Sequence, residues 1–231
     1  MTGHGIVEGT AVWLGIENLD TDQIMPKQFL HGIDRAGLDK GVFHNLRFDA
    51  QGALRAECVL NTPAGRAAKV LIGAGNFGCG SSREHAVWGM LQFGIQAVIA
   101  PSYGEIFFSN AMNNDLLLVT LARAQVDEIA QAVSADALTR VRIDVAARQV
   151  GVGNRGFGFE ISARHRTMFL EGLDLIQESI AARPDIEAFA RSHLEHAPWL
   201  RDVARRMVAH AEQQCPPLDS GVAPAHGVVR G

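Results

Sequence analysis

The residues best equipped for chemistry stand together at 75–85, which read GNFGCGSSREH. An apolar run, KVLIG at 69–73, leads into Gly73, Gly75, Gly78 and Gly80, with Gly89 further on. Glycine at this density lets main-chain N–H groups approach a ligand closely. Ser81 or Ser82 is placed to cap a helix that starts just beyond. The first-turn N–H groups and the helix dipole then favour an anion. Arg83 adds a planar fork that can hold a carboxylate through two hydrogen bonds. These residue types predict a bound carboxylate or phosphate beside a serine hydroxyl set among donors.

Other readings of the same segment compete. Gly73, Gly75 and Gly78 satisfy GxGxxG after a strand, the dinucleotide fingerprint. The expected helix begins several residues too late for that, and no acid falls about 20 residues on, where a ribose ligand belongs. No GxxxxGK[ST] occurs, which excludes a P-loop. GSSREH also fits an ordinary glycine turn with its Arg and Glu solvated. Asp20, Thr21 and Asp22 read equally as turn chemistry before a short helix. Glu84 and His85 read as structural, pairing locally in the first helical turn, and Cys79 as a small packed residue. His31, His44 and His165 have no metal-ligand spacing.

The elements that must carry this segment alternate. Residues 5–14 read as an opening strand, 69–73, 96–100 and 116–121 as buried strands, and 84–93, 104–113 and 123–133 as helices. Apolar strands alternating with helices predict an α/β fold with a mostly parallel core sheet. Residues 139–150 read as one strand, paired in a hairpin with 157–161 through GVGNRG. Two long helices follow at 163–181 and 184–211. The Pro- and Gly-rich end from 213 reads as a disordered tail, leaving one domain over 1–212.

Bulk properties narrow the function classes. A net charge of −4 offers no basic field for nucleic acid. No apolar run approaches the roughly 20 residues that span a bilayer, so no membrane partner is expected. MTGHGIVEGTAVW lacks a basic stretch followed by an apolar one, and the cytoplasm is the expected compartment. Cys58, Cys79 and Cys215 are too few and too far apart for a disulfide framework or an iron–sulfur cluster held by this chain alone.

The stretch GNFGCGSSREHAVWGMLQFGIQAVIAPSYGEIFFSNAMNNDLLLV resembles the signature of isopropylmalate isomerase small subunits, and is similar to the swivelling domain of aconitase. NLDTDQIMPKQFL at 18–30 looks like that family's second marker, and FHNLRF at 43–48 also fits it. The likeness covers residues 5–200. It implies a swivelling β/β/α domain with added C-terminal helices, no cofactor on this chain, and a separate large subunit carrying a 4Fe–4S cluster. The implied reaction is removal and re-addition of water on a hydroxy dicarboxylic acid.

Position by position, the resemblance makes Ser81 the catalytic base and Arg83 the grip on a substrate carboxylate. Ser82 and Gly80 contribute contacts at that corner, and Thr21 and Asp22 orient it. The loop at 30–43, with Ile33, Arg35 and Leu38, meets an apolar substrate branch in the isopropylmalate form. Two departures stand out: VWGML where relatives more often carry proline before tryptophan, and NNDLLLV where they often show NxLLPV. They leave open a sister dehydratase for citraconate or a methylated malate. A non-catalytic anion- or nucleotide-binding module is the reading from a different class.

Overall fold

The computed structural model describes residues 5–30, 35–173 and 175–214. The chain divides into two compact units, Met1–Glu178 and Ser179–Gly231.

In the first unit the chain opens with β1 (Ile6–Leu14). Short elements follow: α1 (Thr21–Ile24), 3-10 turns at Lys27–Phe29 and Leu38–Lys40, α2 (His44–Arg47), a third 3-10 turn at Val59–Asn61, and α3 (Pro63–Arg66). Then strands and helices alternate: β2 (Val70–Gly73), α4 (Glu84–Phe93), β3 (Ala97–Ala100), α5 (Glu105–Asn113), β4 (Leu117–Thr120) and α6 (Arg123–Ala135). A meander of β5 (Arg140–Asp144), β6 (Gln149–Val152) and β7 (Arg155–Gly158) precedes α7 (Ala163–Glu171), and the boundary between the two units falls within α8 (Leu175–Ala181).

One seven-stranded sheet in the order β4-β3-β2-β1-β5-β6-β7 organises this unit. β1 to β4 pair in parallel, and β5 to β7 extend the sheet beyond β1 as an antiparallel ladder. Every residue of β2 and β3 is buried, which explains their unbroken apolar runs. β5 alternates exposed and buried positions, as a sheet wet on one face does. The α/β architecture with a largely parallel core flanked by helices is therefore present, with the meander added at one edge.

Three boundaries differ from the sequence expectation. Residues 139–150 form two strands, because the Asp144 carboxylate accepts from the Ala147 amide at 2.8 Å and Arg148 takes φ +56 to turn the chain. The first long helix stops at Glu171, where Gly172 adopts φ +66 and closes the C-terminus. In the second unit, α9 (Arg183–His196) and α10 (Val203–Gln214) replace one helix, separated by a 3-10 turn at Pro198–Leu200. No helix among the described residues is long and apolar enough to cross a membrane.

Register places the chemistry. Leu14 of β1 pairs with Gly73 of β2, so the chain leaves both strands at one level. The two departing segments then run side by side. Asn18 N–H donates to the Gly75 carbonyl (3.0 Å), Gly78 N–H to Leu19 (2.8 Å) and Thr21 N–H to Cys79 (2.9 Å). The segment after β3 joins them, with Phe77 N–H on the Ser102 carbonyl and Gly104 N–H on that of Phe77. This is the carboxyl end of the parallel strands, where open α/β sheets bind ligands.

Candidate active site

The corner at 78–83 is built by glycine geometry. Gly78 and Gly80 take φ +72 and +90, a region that side chains on Cβ disfavour. A Cβ on Gly78 would run into the Phe107 ring, and one on Gly80 into the Asp20 carboxylate. Phe107, buried on α5, therefore fixes the near edge of the corner and Asp20 the far one. Asp20 is held in turn: its Oδ1 accepts from the Asp22 amide at 2.6 Å, and its own amide donates to Gln23 Oε1 at 3.0 Å. This capping box starts α1 and aims the short helix at the corner.

Ser81 and Ser82 are exposed at the tip. Neither caps α4. The N-cap is Arg83, with φ −135 and ψ 98 and no side-chain cap bond, so both serines precede the helix. The cause is long-range. Arg83 is anchored backward, its Nη1 donating to the Met25 carbonyl at 3.2 Å and its Nη2 ion-paired with Asp22 Oδ1. That anchor keeps residue 83 extended and delays the helix. Neither Ser81 Oγ nor the amides of residues 80–85 have a hydrogen-bond acceptor or donor among the described residues. The corner thus gathers a run of main-chain donors next to an uncommitted hydroxyl.

Thr21 is buried beneath this tip, and its Oγ1 donates to the Ser81 carbonyl at 2.8 Å. Its amide bonds the Cys79 carbonyl, so one residue ties two positions of the corner. The Arg83 side chain is 9% exposed and Asp22 41%, with Lys27 Nζ 4.0 Å from the other Asp22 oxygen. A guanidinium has five N–H donors, and the contacts to Met25 and Asp22 leave others for an arriving carboxylate. Cys79 is half-buried, its Sγ 3.2 Å from the Asn18 carbonyl.

In the loop expected to meet the substrate branch, Ile33 lies outside the described residues. The Arg35 guanidinium carbon stands 3.8 Å from the centroid of the Trp88 ring, a cation–π contact. Leu38 turns into the core at 5% exposure, where it supports the loop from beneath. Its amide donates to Gln92 Oε1 at 2.9 Å, and Gln92 Nε2 donates to the Arg35 carbonyl. A single α4 side chain thereby clamps both ends of 35–38.

Two contributors escaped sequence reasoning. Gln92 is one. Asn114 is the other: its Nδ2 donates to Glu84 Oε1 at 2.7 Å and its Oδ1 accepts from Trp88 Nε1 at 2.9 Å. Glu84 is therefore held from thirty residues away rather than by a neighbour in its own turn, while His85 packs on Trp88 at 4.9 Å. Asn114 lies in the quoted NNDLLLV stretch, and its position there was the only available signal.

Known proteins share this arrangement of sequence. The aconitase C-terminal domain family matches residues 1–124. The 3-isopropylmalate dehydratase small subunit 1 of Chromobacterium violaceum is 55% identical over 204 residues, spanning 88% of this chain and 96% of that protein. The small subunit of the same name from Paramagnetospirillum magneticum is 42% identical, over 83% of this chain and 96% of its own. The crystal structure of 3-isopropylmalate dehydratase from Methanocaldococcus jannaschii superposes with a TM-score of 0.58 at 27% identity, covering 79% of this chain and 98% of that one.

Proposed function

The chain belongs to the family of 3-isopropylmalate dehydratase small subunits, and we propose that it supplies the base and the carboxylate grip of that hydro-lyase. The reaction interconverts 2-isopropylmalate and 3-isopropylmalate in leucine biosynthesis by loss and return of water, in the cytoplasm, and runs only with a large subunit.

Ser81, as an alkoxide, takes the proton from the carbon next to a substrate carboxylate. A serine hydroxyl is too weak a base by itself, so the main-chain donors of residues 80–85 must stabilise the anion. Arg83 grips the substrate carboxylate, with Asp22 holding the guanidinium in place until substrate arrives. Thr21 sets the height of Ser81 through its carbonyl. Ser82 and Gly80 shape the corner, and the loop holding Ile33 and Arg35 meets the isopropyl branch.

A 4Fe–4S cluster on the large subunit would supply Lewis acidity toward the departing hydroxyl. Among the described residues no group of three or more His, Cys, Asp or Glu side chains stands together as a metal site would require.

The observation that supports this reading most is the uncommitted Ser81 hydroxyl, exposed among unbonded amides one residue from an anchored guanidinium. The test is anaerobic reconstitution with a cluster-bearing large subunit, comparing kcat/KM on isopropylmalate, citramalate and dimethylmalate. Preference for isopropylmalate is expected. Higher kcat/KM on a smaller acid would move the assignment to a sister dehydratase.

A further inference from the structure

A groove of about 470 Å³ opens at the far end of α4, lined in part by Phe29, Lys40, Arg47, Arg66, Gln92 and Phe93. It shares no lining residue with the Ser81 corner, and its Gln92–Phe93 wall stands at the opposite end of α4, a helix about 15 Å long, from the end that Arg83 caps.

Its floor is a built cation. Arg47 is only 7% exposed. Its Nη1 donates to the carbonyls of Asp39 (3.2 Å) and Val42 (3.0 Å), and its Nε to Asn61 Oδ1 at 3.4 Å. Nη2 has no acceptor among the described residues. The guanidinium carbon stands 4.7 Å from the Phe93 ring centroid and 5.2 Å from that of Phe48. Two more cations, Lys40 and Arg66, are exposed on the rim and make no ion pair among the described residues. Asp39 is the one acidic side chain in the lining.

Burial, and then the like charge of Arg66, lower the Arg47 pKa, with Cys58 and Asp39 acting the other way. An anion between the two guanidinium groups would relieve that repulsion. The walls add a second requirement. His44 is sandwiched by Phe29 and Phe48, with ring centroids 4.9 and 4.7 Å away, and its buried Nδ1 has no hydrogen-bond partner. Aromatic surface beside a partly desolvated cation favours an anion that carries an apolar body over a bare inorganic one.

We propose that this groove is a second ligand site, binding a small organic carboxylate with an apolar body. The charge sits against Arg47 Nη2, Arg66 and Lys40, and the apolar body against Phe29, Phe48 and Phe93. Occupancy is felt by the 35–40 loop, because Gln92 lines the groove and also bonds Arg35 and Leu38.

The full chain is titrated with isovalerate, acetate and inorganic phosphate, by calorimetry and by NMR of side-chain amide and guanidinium protons. Isovalerate is expected to saturate and to bind at least about fivefold tighter than acetate, given about 0.8 kcal/mol per buried methylene. Shifts should centre on Gln92 and Arg47. Arg66→Ala and Lys40→Ala, both at exposed positions that leave the fold intact, should each weaken binding about threefold. Ser81→Ala and Arg83→Lys should leave it unchanged. No saturation below about 10 mM, equivalent to about 2.7 kcal/mol of binding, overturns the proposal. So does equal binding of phosphate, or loss of binding in the Ser81 and Arg83 variants but not in the rim variants.

Discussion

Thr21 Oγ1 donates to the carbonyl of Ser81 across sixty residues of sequence, at 2.8 Å and with Thr21 1% exposed. Removing the hydroxyl leaves that carbonyl without its protein donor, and unmet part-buried acceptors cost about 1–3 kcal/mol. Thr21→Val is expected to lower stability by that amount in urea unfolding. It should also lower kcat of the assembled enzyme, because Ser81 loses its height. Thr21→Ser should restore both; a Ser variant no better than Val would dissociate the hydroxyl from the effect.

Ser81→Ala separates chemistry from folding. The side chain is exposed and bonds nothing among the described residues, so unfolding should shift by less than about 0.5 kcal/mol. The reconstituted complex should lose about 10²–10⁴-fold in kcat, the range for a positioned base. Normal turnover in this variant would remove Ser81 from the mechanism.

Arg83→Lys keeps the charge and discards the fork. A lysine cannot serve Met25 O, Asp22 and a carboxylate together from one ammonium. KM should rise on the order of tenfold or more, matching the roughly 1.5–3 kcal/mol of a charge-assisted hydrogen bond. Steady-state kinetics at saturating large subunit measures it, and an unchanged KM would assign the carboxylate grip elsewhere.

Much of this corner was legible in the residues, and the exceptions share a cause. β2, β3 and α4 read correctly because their signals are local: apolar runs, and a helix closed by Gly94 at φ +107. The Ser cap misread because residue 83 is held extended by Asp22 and Met25, sixty positions away, and no local propensity encodes that. Residues 139–150 kept their alternation through a turn, so the period alone did not reveal the break. Gln92 and Asn114 were not singled out because their partners sit on other elements. Leu38 read as a branch-facing residue because the sequence does not say which way a 3-10 turn points its side chains.

Gly80→Ala tests the corner's backbone. Alanine at φ +90 is strained, and its Cβ meets the Asp20 carboxylate. Together these should cost about 1–3 kcal/mol. Because Asp20 starts α1, the variant should also lose activity beyond its loss of folded protein. Active-site titration against thermal unfolding distinguishes the two.

Glu8 on β1 faces Arg140 and Arg142 of β5, each at 3.0 Å, and these hydrogen bonds hold its pKa below the ordinary value. A lowered folded pKa gives stability that is full above the unfolded value of about 4.3 and lost as pH falls through the folded one. The Tm gap between the native chain and Glu8→Gln should therefore be widest near neutrality and close in acid. High salt should narrow it as well, since the pair is exposed. A gap that persists in strong acid would point to packing instead.

Three of the ties between the segments that leave β1 and β2, from Asn18 to Gly75, Gly78 to Leu19 and Thr21 to Cys79, run from one peptide group to another. No side chain at 18, 19, 75, 78 or 79 is needed to make them. The course of these two segments is therefore set by main-chain bonds that most side chains at those positions would leave in place. The exceptions are places like 78 and 80, where there is room for a hydrogen and nothing larger.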